Sequence, residues 1–122
     1  MITLYAPEGY EPKQDCNGCG TGWNSKLVPD TIYGVSITPA CCIHDYMYSV
    51  GKTNEDKCVA DRVFLNNMLR IIESVTEWYY PTALARRRAL KYYEAVVSFG
   101  STAYWEGKNE SSNLITFNTD AV

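Results

Sequence analysis

Four scarcities in this chain each remove a class of explanation. Basic residues are not in surplus: 11 Lys and Arg against 14 Asp and Glu give a net charge of −3, whereas a nucleic-acid binder normally carries a basic excess. No apolar run approaches the ~18 residues of a membrane span, so no transmembrane segment is expected. The stretch from Met1 to Gln14 is polar and broken by Gly9 and Pro12, without the apolar core of a secretory signal, so none is expected there either. Histidine is the scarcest residue of interest, occurring once, at His44. Imidazole is the side chain best suited to trade a proton near neutral pH. If this protein does acid–base chemistry with a histidine, there is one candidate.

What is present suits a single folded domain spanning residues 1–122. Apolar residues make up 46% of the chain and charged residues 20%, enough for one core but not for two. The five cysteines, Cys16, Cys19, Cys41, Cys42 and Cys58, leave at least one unpaired, so the redox compartment stays open. Cys16-x-x-Cys19 supplies half of a tetrahedral zinc site. The other half is poor, because Cys41 and Cys42 are adjacent and a knuckle needs two or more residues between its thiolates.

Residues 1–36 read as loop and turn, punctuated by Gly9, Pro12, Gly18, Gly20, Gly22, Pro29 and Gly34. Residues 37–100 read as a helical core, and residues 101–122 as a tail, an all-α arrangement. A first helix should open with Thr38 as N-cap and Pro39 at its first position, run to about Ser49 and stop at Gly51. A second should start after Thr53, with Glu55 and Asp56 at its positive end. Its apolar stripe is Phe64, Leu65, Met68, Ile71, Ile72 and Val75. A third should run from Pro81 to just before Gly100, with Ala85, Ala89, Tyr92, Val96 and Phe99 on one face. Arg86, Arg87 and Arg88 span too wide an arc for the core and read as a solvated face. After Gly107, the tail is expected to be disordered or a short strand from Leu114 to Phe117.

Asp61 falls on the stripe of the second helix. A carboxylate directed into a core needs a partner, or it costs several kcal/mol. His44 lies seven residues before Gly51 and Asp61 ten after it, so two antiparallel helices joined at that turn can bring the two together. Asp61 would then accept one imidazole N–H and leave the other nitrogen as a base. Tyr48, one turn beyond His44, can donate its hydroxyl to the same carboxylate. On the dipeptide His44-Asp45 alone, a half-buried helix histidine beside a solvated aspartate is the simpler reading; the surroundings reverse that preference.

Asp45 lies about 100° around the helix from His44. A carboxylate beside the base, facing the loop Asn17-Gly18-Cys19-Gly20-Thr21-Gly22, suits a hard cation such as Ca2+, which takes six to eight oxygens in irregular cages. Glycines let carbonyl oxygens turn inward, and Asn17 offers a side-chain oxygen. A disulfide from Cys19 to Cys41 would hold this loop against the helix bearing Asp45.

The stretch Pro39-Ala40-Cys41-x-x-His44-Asp45-x-x-Tyr48, followed by Ala60-Asp61-x-x-Phe64, resembles the phospholipase A2 superfamily. The likeness is greatest to its small, mostly helical bacterial and fungal-type enzymes. Val28-Pro29-Asp30-Thr31-Ile32-Tyr33-Gly34 looks like the Pro-Asp…Phe-Gly segment that precedes the motif there. Tyr92-Tyr93-Glu94-Ala95-Val96…Phe99-Gly100 looks like a later segment of those enzymes. The resemblance covers roughly residues 15–100 and is most specific at His44-Asp45.

That resemblance implies a calcium-dependent hydrolase acting on the sn-2 ester of glycerophospholipids, working as a monomer at a phospholipid membrane or micelle surface. It implies His44 as general base, Asp61 as its orienting carboxylate with Tyr48 beside it, Asp45 as the side-chain calcium ligand and Gly18 as a carbonyl ligand. Asn17 stands where the bacterial relatives place an acidic ligand, which removes one formal charge from the calcium site. Gly20 and Gly22 match the animal-type loop, where they would supply further carbonyls. The chain departs from the family in a longer segment between Cys19 and Pro29, in Cys16, Cys42 and Cys58, and in lacking the usual secretion signal. Localisation is therefore open between secreted or released, phage-associated and cytoplasmic. Two readings from other classes stand beside this one: a phospholipase-like fold used only for binding, as a toxin or structural part, and a cysteine-ligated zinc module. Trp23, Tyr33, Trp78, Tyr79, Tyr80 and Trp105 suit either an interfacial belt or the core.

Overall fold

The structure is a computed structural model that describes residues 2–12, 28–108 and 117–119. Among these residues it is mostly helical, with helices α1 (Thr38–Val50), α2 (Asn54–Glu73), α3 (Thr82–Phe99) and α4 (Ser101–Trp105) and one small sheet, β1 (Thr31–Ile32) and β2 (Val35–Ser36).

Helix boundaries follow local chemistry. The α1 N-cap is Ile37, not Thr38, which is already helical. Ile37 is fully buried and its carbonyl accepts from Cys41 N at 3.1 Å, so core packing sets the start one residue early. Ser36 Oγ then accepts from Thr38 N at 3.3 Å, satisfying one of the orphan donors of the first turn. Thr53 caps α2 through a reciprocal capping box with Asp56, the arrangement that satisfies two orphan N–H groups at once. Val75 does not extend the α2 stripe, because the helix stops at Glu73 with Ser74 as C-cap; Ser74 Oγ donates to Ile71 O at 2.6 Å.

The short connection from Gly51 to Thr53 returns α2 alongside α1. Contacts between Lys57 and Val96 and between Arg86 and Glu73 pair the start of α2 with the end of α3, so α3 runs back antiparallel to α2. The core lies between these helices, from Cys41 through Phe64, Met68, Ile71 and Ile72 to Ala85, Ala89, Tyr92 and Val96, with Val28, Ile32 and Ile37 closing one side. Leu65 is only half-buried, packed against that core. Phe99 is 67% exposed, contrary to its expected place on the apolar face. The residue that continues the 85–89–92–96 spacing inward is Gly100, which is buried.

Two elements lay outside the sequence reading. Residues 31–36, expected as loop, form a hairpin, with Thr31 opposite Ser36 and Ile32 opposite Val35. Its two turn residues, Tyr33 and Gly34, have φ of 48° and 83°, the positive values a tight two-residue hairpin requires. Helix α4 is short, yet it buries Tyr104, whose hydroxyl donates to Thr53 O at 2.6 Å. Lys108, just beyond it, donates to Tyr48 O at 2.7 Å and Gly51 O at 2.8 Å. A cation on the last carbonyls of α1 complements the negative end of that helix. Phe117 is exposed and not in a strand; Leu114 and its neighbours to 116 lie outside the described residues.

Gly100, at the end of α3, lies directly against Tyr48 of α1. A Cβ there would sit 2.6 Å from Tyr48 Oη and closer still to the Val96 carbonyl oxygen. Overpacking of this kind costs about 1–3 kcal/mol. Gly100→Ala should therefore lower the thermal midpoint by scanning calorimetry, whereas Phe99→Ala, on the exposed side of the same turn, should change it little.

Candidate functional site

The most demanding group in the fold is Asp61, in the second turn of α2 and 2% exposed. Three donors meet its carboxylate. His44 Nε2 lies 2.8 Å from Oδ1, Tyr48 Oη donates to the same oxygen at 2.7 Å, and Lys57 Nζ donates to Oδ2 at 2.8 Å. His44 and Tyr48 are one turn apart on α1 and reach across together, as four-residue spacing on one helix face permits. Lys57 is one turn before Asp61 on α2.

Burial acts to raise the Asp61 carboxyl, but the hydrogen bonds from His44, Lys57 and Tyr48 outweigh it and hold the group below the usual carboxylate range. Asp61 is therefore ionised at neutral pH and can only accept hydrogen bonds. The proton in the His44 contact must then sit on Nε2, which leaves the lone pair of the neutral ring on Nδ1. The ring is held between two aromatic neighbours, with centroids 4.2 Å from Tyr48 and 4.7 Å from Phe64. The Tyr48 hydroxyl is pushed far up by burial and by its bond to the anionic Asp61, so it acts as a donor and not as an acid. An ionised carboxylate fixing one imidazole tautomer is the arrangement that makes histidine a directed base.

Of the residues singled out by sequence, His44, Tyr48 and Asp61 thus meet at one buried point. Asp45 is half-buried, next along α1. Its carboxylate is a hard oxygen donor, the donor type that Ca2+ takes. Asn17, Gly18, Gly20 and Gly22 lie outside the described residues, as does Cys19, the expected partner of Cys41. Among the described residues, no group of three or more His, Cys, Asp and Glu side chains could hold a metal ion. Cys41 is buried and Cys42 half-buried, and as neighbours on α1 they lack the two or more residues between thiolates that a zinc knuckle needs. Cys58 is a free, exposed thiol. Of the aromatic residues, Trp78 is 92% and Tyr79 69% exposed at the α2–α3 turn, while Tyr80 is tied inward, donating to Ile32 O at 2.8 Å. Trp23 lies outside the described residues. No helix among the described residues is long and apolar enough to cross a membrane.

Lys57 is the site residue that sequence reasoning missed. A lysine in the first turn of a helix, after Glu55 and Asp56, reads as one more solvated charge. The available signal was its spacing, four residues before an aspartate already placed on the buried stripe.

Two consequences can be measured. Tyr48→Phe removes one hydrogen bond to a buried charge and should cost about 1.5–3 kcal/mol in urea unfolding. Because native Asp61 titrates below its unfolded value, which is about 3.9, its contribution to stability is complete at neutral pH and is lost as pH falls through the lowered native value. The acid limb of the stability profile should therefore be steeper in wild type than in Lys57→Met/Asp61→Asn, compared by urea unfolding at successive pH values.

Compared with known proteins, the chain matches no family model, no curated protein and no solved structure.

Proposed function

We propose that this chain is a small phospholipase A2-like hydrolase that cleaves the sn-2 ester of glycerophospholipids at a membrane or micelle surface, with water as the nucleophile. The observation that carries the reading is the contact of His44 Nε2 with the buried, ionised Asp61, in the sequence context Cys41-x-x-His44-Asp45-x-x-Tyr48. In this reading, His44 Nδ1 takes a proton from water as the oxygen attacks the ester carbonyl, and returns it to the departing glycerol oxygen. Asp61 stabilises the imidazolium that forms between the two transfers and keeps the ring aligned through both. Tyr48 holds the carboxylate in place, and Phe64 flanks the ring. No serine or cysteine nucleophile is called for.

Asp45, with oxygens of Asn17, Gly18, Gly20 and Gly22, is the set that would hold Ca2+, which when bound supplies positive charge for the ester carbonyl and the phosphate. The exposed Trp78 and Tyr79 suit contact with a lipid surface, since aromatic rings with a polar edge favour such interfaces. A phospholipase-like fold used only for binding would have no need of an oriented, buried His–Asp pair.

Release of fatty acid from mixed phospholipid micelles tests the reading. Wild-type protein should release fatty acid with calcium and lose that activity in excess EGTA; equal release in EGTA would sink the metal half of the mechanism. His44→Gln should lower turnover by ~10²–10⁴-fold with the fold intact by circular dichroism. Asp45→Asn should weaken calcium binding at least about tenfold by calorimetry, or about 1.4 kcal/mol.

A further inference from the structure

Lys57 has no part in the chemistry just described, yet it is 7% exposed and its ammonium is committed on two sides. Nζ donates to Asp61 Oδ2 at 2.8 Å and to the Val96 carbonyl oxygen at 3.2 Å. It also lies 5.7 Å from the centroid of the Tyr48 ring. Stability is a poor explanation for this arrangement. Removing two charges from water costs about as much as their attraction returns, and an apolar pair of similar volume often serves as well or better. An exposed lysine four residues before an aspartate would also make a weak pair at little cost. A buried one calls for another reason.

The reason lies in how the two carboxylate oxygens are shared. Oδ1 receives both groups from α1, His44 and Tyr48, and Oδ2 receives the ammonium from its own helix. The groups that face Asp61 are therefore His44 and Tyr48 from α1 and Lys57 from α2. From α3, the Val96 carbonyl holds Lys57, and from α4 Tyr104 packs edge-on against Tyr48 with ring centroids 5.0 Å apart. Of the three donors on the carboxylate, Lys57 alone brings an ammonium group; the others are an imidazole and a phenol hydroxyl. Without the ammonium, a buried carboxylate has a reason to take up a proton, since neutralisation is how such groups escape desolvation. A protonated carboxyl can donate as well as accept. It would then donate to His44 Nε2, which transfers the ring proton to Nδ1 and blocks the nitrogen that has to act as base.

We propose that Lys57 is a positioning residue of this site: its charge keeps Asp61 ionised, so that Asp61 can only accept from His44 and the lone pair stays on Nδ1. This rests on the reading of His44 as the base for its effect on turnover, but not for its effect on Asp61. The Val96 carbonyl aims the ammonium, so the end of α3 takes part in setting the site.

The test uses Lys57→Met, and Lys57→Gln in case the methionine variant does not fold. Difference infrared spectroscopy at neutral pH reads the state of Asp61. Each neutral variant should show a protonated-carboxyl stretch that wild type lacks, and the stretch should vanish in Lys57→Met/Asp61→Asn. In the micelle assay, the single variants should lose at least about tenfold in kcat with KM nearly unchanged, the pattern of a defect in chemistry and not in substrate binding. A folded neutral variant whose Asp61 stays ionised would overturn the proposal, and so would one with wild-type kcat. If wild type itself releases no fatty acid, the hydrolase reading fails, and the infrared result still decides the role of Lys57.

Discussion

One anion organises this protein. Asp61 is a carboxylate without access to water, and each of its hydrogen bonds fixes something that matters elsewhere. The bonds from His44 and Tyr48 set the register of α1 on α2. The bond from Lys57 ties the first turns of α2 to its second turn and, through Val96, to the end of α3. Breaking a buried pair by removing one partner costs far more than its net worth, so these helices are committed to one arrangement around that charge.

The rest of the structure serves this centre. Gly100 lets α3 come within reach of Tyr48, and the same turn offers the carbonyl that Lys57 uses. Helix α4 packs Tyr104 against Tyr48 and bonds it to Thr53, and Lys108 closes the carbonyl end of α1. The larger apolar cluster, around Phe64, Met68 and Ile72, supplies most of the burial and lies against the face of the His44 ring through Phe64. The residues 2–12 are joined to the far part of α2, where Asn67 pairs with both backbone groups of Tyr5 at 2.7 and 2.8 Å. The Asp61 cluster therefore sits where three helices, and not two, have to agree.

Much of this was legible in the sequence, because strong local signals bound each element. Pro39, Gly51, Thr53, Pro81 and Gly100 mark the helix ends within a residue, and the stripe on α2 exposes Asp61 as a charge in an apolar row. From there, His44 and Tyr48 follow by spacing alone. The failures have physical causes. Phe99 looked buried because period counting cannot tell which of two neighbouring positions, 99 or 100, turns inward at a helix end. The β1–β2 hairpin was hidden by its two-residue strands and by a tyrosine at positive φ, a conformation L-residues with large side chains seldom adopt. Lys57 was hidden by composition, since a lysine among acids at a helix start is ordinarily solvated. The tertiary contact with Val96, 39 residues away, is what buries it.

The central claim is that an ionised Asp61 fixes the tautomer of His44, and nitrogen NMR reads that tautomer directly. With a single histidine in the chain, one pair of imidazole nitrogen signals has to be followed. At neutral pH in wild type, the neutral ring should carry its proton on Nε2, with a low-field proton resonance from the bond to Asp61 and an unprotonated shift for Nδ1. A neutral ring with its proton on Nδ1 would contradict the account, because Asp61 would then be donating to the histidine, and the directed base on which the proposed function rests would not exist.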